Sequence, residues 1–228
     1  METTENLPTE PKKPQPSTHV TTAQWVSKMK LTFANATLPE IFGVMQTVGY
    51  SAEKIDAMKD KVVHLETLQQ MQTKEYAEQF SESQKFDTKR SEIDAAFTKN
   101  RELMKILFKG NIHAQSILML DKTKPRTYAQ WYEMVTNFYA QLEASPELLT
   151  KAVAININAA AISAQKLAIA ELQALKVGQR KETAEAQTAT DSRDKAFDEL
   201  YPLYSEYIQY AKVLLQDNQA LEAIGIKV

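Results

Sequence analysis

The chain has 228 residues, 43% of them hydrophobic, no cysteine and a formal net charge of -2. That is enough apolar material for one large or two small cores, while a pI near 6.0 supplies no global basic field for nucleic acid or acidic membranes. The absence of cysteine excludes disulfides, thiolate metal sites and cysteine nucleophiles, and fits a reducing cytoplasm, the expected compartment.

Residues 1–20 carry Pro8, Pro11, Pro14 and Pro16 among polar and charged residues. With no apolar core of the secretory kind, they read as a flexible arm. Beyond them the chain reads as all-α. Glycine occurs only five times, neither glycine nor proline falls between Tyr50 and Lys109, and Ala, Glu, Gln, Lys, Leu and Met dominate without strand alternation. Short helices are expected over Thr22–Asn35 and Tyr128–Glu143. Thr37 with Glu40, and Thr127 with Gln130, resemble capping boxes, Ser145 before Pro146 suits a helix start, and Gly110-Asn111 suits a helix end.

The chain is written twice. Thr21-Thr22-Ala23-Gln24-Trp25 returns as Thr127-Tyr128-Ala129-Gln130-Trp131, and Pro39-Glu40-Ile41-Phe42 returns as Pro146-Glu147-Leu148-Leu149. A shift of 107 positions pairs Ile55 with Ile162, Leu65 with Leu172 and Leu107 with Leu214, without a gap from Pro39 to Asn111. The expectation is an elongated helical bundle of two tandem copies of one unit: copy one over 21–120, a linker over 121–126 and copy two over 127–228.

Apolar stripes of 3-4 spacing mark the core faces. Ile55, Met58, Val62, Leu65 and Leu68 form one, and Ile155, Ile162, Ile169, Leu172 and Leu175 its counterpart. Later, Ile93, Phe97, Met104 and Leu107 match Leu200, Tyr204, Ala211 and Leu214. Between them lie polar tracts, 69–90 and 176–193, with Gln72, Gln79 and Ser83 or Gln179, Thr183 and Thr190 at core register. Two paths fit. A reversal there makes each copy a hairpin with a wet tip, a bend favoured by Gly178; a continuous helix makes each copy a coiled-coil rod of about 70 residues, on the order of 100 Å.

The polar tracts also hold the most suggestive motif, Glu75 with Glu78 matched by Glu182 with Glu185. Three-residue spacing puts each pair on one helix face, where four carboxylates could meet around a hard cation. Helical dimetal sites generally add histidine in Glu-x-x-His, which neither copy supplies, so a solvated surface or partner contact is expected and no metal or cofactor is assigned. His64, one turn after Asp60, is an ordinary pair with Leu167 and Glu171 at the matching positions, and no phosphate loop or nucleophile elbow occurs. The protein is therefore read as a non-enzyme. Trp25, Trp131, Phe33 and Tyr139 are expected to pin the short helices to their own core. Four tyrosines in ten residues, Tyr201, Tyr204, Tyr207 and Tyr210, combine apolar area with polar tips and are the better partner-contact candidates.

These features point to a structural or scaffolding protein that self-associates, as an oligomer or filament, or docks another protein through helical faces. Nucleic acid and membrane are not expected partners. The alternative is a soluble helical protein of the pore-forming type, with the Ala-rich stretch Ala152–Ala170 rearranging on insertion.

Overall fold

The computed structural model describes residues 20–227. All of the expected arm except Val20, and the terminal Val228, lie outside the described residues. Every regular element among those described is helical: α1 Thr22–Asn35, α2 Pro39–Gln46, α3 Ala52–Leu107, α4 Ile112–Ile117, α5 Tyr128–Ala144, α6 Pro146–Ala152 with a 3-10 turn Val153–Ile155, α7 Ala159–Leu214 and α8 Asn218–Ala223.

Helix starts obey local chemistry, though not everywhere at the expected residue. Thr21 caps α1 with a complete capping box, its hydroxyl accepting from the Gln24 amide while Gln24 reaches back to the Thr21 amide. Thr127 sits at the cap position of α5, but its hydroxyl donates to the Gln130 side chain at 2.9 Å instead of satisfying the helix. Thr37 is not a cap. Pro39 begins α2, Leu38 precedes it in extended conformation, and the Thr37 hydroxyl donates back to the Ala34 carbonyl. Gly49, at φ 88, turns the chain from α2 into α3, and Gly110, at φ 84, follows the end of α3.

The two long helices each span 56 residues and begin 107 positions apart. Both run unbroken through the polar tracts, so the chain does not reverse there. Inside α7, Gly178 leaves the helix intact, and the exposed Pro202 lies in it without ending it.

The described residues form two compact units, 20–69 with 193–227, and 70–192. Each draws on both halves of the sequence. In the first, Met29 and Phe33 of α1, Ile41 and Met45 of α2 and Ile55 and Leu65 of α3 pack with Leu200, Tyr207 and Ala211 of α7. The buried Thr32 hydroxyl donates to the Ile224 carbonyl at 2.8 Å, tying α1 to the end of α8. Here α3 and α7 run antiparallel, with Lys54 near Glu206 and Lys61 near Glu199.

In the second unit, Ile93, Phe97 and Met104 of α3 meet Trp131, Phe138 and Tyr139 of α5 and Ile162, Ile169 and Leu172 of α7. The helices are again antiparallel: Gln72 donates to Thr190, Gln179 to Ser83 and Lys89 to Glu171. Two pairs of polar side chains at core register, Gln72 with Thr190 and Ser83 with Gln179, therefore meet across a seam, while Thr183 donates back to the Gln179 carbonyl of its own helix. Leu65 and Leu172, expected in the core, are both fully buried, each worth roughly 1.5 to 3 kcal/mol of transfer free energy.

No single helix among the described residues is long and apolar enough to cross a membrane. The Ala-rich stretch is broken by Asn156, which sits in the left-handed region at φ 63; α6 with its 3-10 turn and α7 reach that length and apolarity only as a pair bent by 99°.

Candidate functional site

Three of the four paired glutamates converge. In the second unit, carboxylate oxygens of Glu75, Glu182 and Glu185 lie within 4.8 Å of one another. Glu78 is not in this group; Lys74 sits 3.3 Å from Glu78 and 3.9 Å from Glu75. Lys181 repeats the arrangement, at 3.2 Å from Glu185 and 3.7 Å from Glu182. Hydrogen bonding to Glu78 and Glu185, then the charges of the same glutamates, push the two lysines above their ordinary pKa. The acidic group thus carries its own countercharge, with Glu75 and Glu182 half-buried and Glu185 exposed.

The four tyrosines do not share one face. Tyr207 is fully buried, edge-on to Phe33 and Tyr50, so it belongs to the core and not to a contact surface. Burial pushes its hydroxyl up to about 12. Tyr50, which donates to Glu206 at 3.1 Å, is raised by burial and then by that carboxylate. Tyr204 is half-buried, edge-on to Trp25 and Phe33. Tyr201 and Tyr210 are exposed, at 38% and 42%. Tyr201 stands edge-on to Trp25 and stacks on Phe197.

Trp25, Tyr201 and Tyr204 form the aromatic wall of a groove of about 310 Å³ in the first unit. Its other notable members are Lys28, Lys212 and Lys227, and among the described residues no carboxylate lines it. Among the described residues these lysines make no ion pair; Lys28 instead places its ammonium 4.9 Å from the centre of the Trp25 ring. Sequence reasoning found Tyr201 and Tyr204 but missed the lysines. They come from α1, α7 and the segment after α8, and only the packing of those segments brings them together.

The second unit has a wider groove of about 720 Å³ beside Trp131. Trp131 is buried, as expected, and its indole N–H donates to Asp94 at 2.7 Å. The same carboxylate accepts from Lys124 at 2.9 and 3.0 Å. Arg90 lies over the Trp131 and Tyr128 rings, 5.3 and 5.7 Å from their centres.

Arg101 also escaped the sequence reading. It is buried, and its guanidinium donates to the carbonyls of Met119, Leu120 and Lys122, fastening the segment that includes the expected 121–126 linker. Its position, four after Phe97 and three before Met104, put a cation on the apolar stripe, the one available signal. His64 and Asp60, by contrast, are both exposed.

Comparison with known proteins returns no match, whether to a family model, a curated protein or a solved structure.

Proposed function

We propose that this is a non-catalytic structural or scaffolding protein, built from two tandem copies of one helical unit, that docks copies of itself or another protein on its helical faces. The observation that carries the reading is the groove of the first unit, where half-exposed aromatic rings lie beside three cations that make no ion pair among the described residues. Aromatic area rimmed by uncompensated charge is the chemistry of molecular contact. The duplication is supported by element spacing: α3 and α7 have equal length, and α1, α2 and α4 return in order as α5, α6 and α8. A duplicated chain offers two related but unequal surfaces, and a contact between unlike surfaces of successive copies extends into a ring or a filament.

Negative-stain microscopy over a concentration series tests the proposal. Rings or filaments that grow with concentration are the expected result; fields without assemblies at every concentration contradict self-association.

A further inference from the structure

We infer that the groove of the first unit receives a segment of a partner polypeptide in which a carboxylate side chain neighbours an apolar one. The inference rests on the docking function proposed above and names the partner's chemistry. Charge is the first argument. Among the described residues, Lys28, Lys212 and Lys227 line the groove, no carboxylate does, and the three lysines form no ion pair.

The second unit supplies the second argument. In the duplicated register Trp25 corresponds to Trp131 and Tyr201 to Asp94. Beside Trp131 the chain provides its own carboxylate, Asp94, which takes the indole N–H at 2.7 Å and the Lys124 ammonium at 2.9 Å. Beside Trp25 the matching residue is a tyrosine, and the indole N–H has no acceptor among the described residues. An external carboxylate restores the arrangement the other unit makes internally, a charge-assisted contact to lysine and an acceptor for the tryptophan.

The third argument is shape. A concave site of about 310 Å³ walled by Trp25, Tyr201 and Tyr204 accommodates one or two side chains. A flat bilayer surface fits it less well, and the chain's overall charge of -2 gives no general attraction to anionic lipid.

The test uses the full chain, which has only two tryptophans and so two indole N–H resonances, assigned with Trp25→Phe. The probes are acetyl-Glu-Leu-Phe-Glu-amide and its Gln-Leu-Phe-Gln counterpart, titrated at a protein concentration where light scattering shows no self-association. The acidic peptide is expected to move the Trp25 resonance saturably and leave Trp131 still, with the amide peptide binding about tenfold or more weakly, a typical consequence of losing charge-assisted contacts. Lys28→Glu with Lys212→Glu is expected to weaken acidic-peptide binding by a similar factor. These side chains are exposed, so the thermal midpoint should hold; Lys227→Glu alone provides an independent second variant.

A Trp25 resonance unmoved by about 5 mM acidic peptide, well above ordinary weak affinities, overturns the inference. Equal affinity for both peptides, or indifference to charge reversal, does the same. Saturation by phosphatidylserine vesicles without response to the peptide overturns it in favour of a lipid surface. If assembly persists while the peptide fails, the docking function survives and only the named chemistry falls; if neither occurs, both fall.

Discussion

Tyr207 and Leu65 mark the limits of what single residues disclose. Leu65 and Leu172 were legible because an apolar residue repeated every three or four positions has one plausible destination, and both are fully buried. Alanine at either should cost about 2 to 5 kcal/mol, through lost transfer energy and an incompletely collapsed cavity; urea denaturation of both variants checks this. Tyr207 was not legible as core, because tyrosine suits both interiors and interfaces, and its neighbours Phe33 and Tyr50 lie far away in sequence. Its buried hydroxyl has no hydrogen-bond partner among the described residues. Tyr207→Phe should therefore raise stability at neutral pH by about 1 kcal/mol. The same substitution should blunt alkaline unfolding. An unfolded tyrosine ionises near 10 and Tyr207 only near 12, so its contribution is full below the lower value and is lost as pH rises toward the higher. Urea midpoints measured on either side of about pH 10 should converge for the phenylalanine variant relative to wild type; an unchanged pH dependence would show that this hydroxyl does not titrate as described.

For whole helices, the all-α reading followed from composition and from the gap in loop punctuation, and the structure bears it out. The path through the polar tracts was open in the sequence because polar residues at core register fit either a wet bend or a polar seam. The unbroken α3 and α7 decide between them, and Gln72 meets Thr190 and Ser83 meets Gln179 along the seam where they run antiparallel. Gly178, read as a bend signal, is simply a helical glycine. A Cβ built there meets the Glu82 carboxylate at 3.6 Å, an ordinary contact. Gly178→Ala should accordingly stabilise the protein by about 0.5 to 1 kcal/mol, and a lowered thermal midpoint would contradict the continuous-helix account. The short helices α2 and α6 are hard to separate from the long helices that follow by apolar periodicity alone, and the turn at Gly49 makes the break after α2.

Across the molecule, the expected boundaries run along the chain, 21–120 and 127–228, whereas the compact units gather pieces of both halves. Pairing of distant segments cannot be read from one sequence. The same limit hid the lysine groove, whose cations lie on α1, on α7 and after α8. The proposed docking function and the proposed duplication belong to this level, since two related surfaces on one chain would favour contacts that repeat from molecule to molecule. Multi-angle light scattering of the full chain over a wide concentration range tests that proposal most directly. The expected result is a molar mass that climbs above the 25.8 kDa of one chain as concentration rises; a mass fixed at that value throughout would contradict self-association.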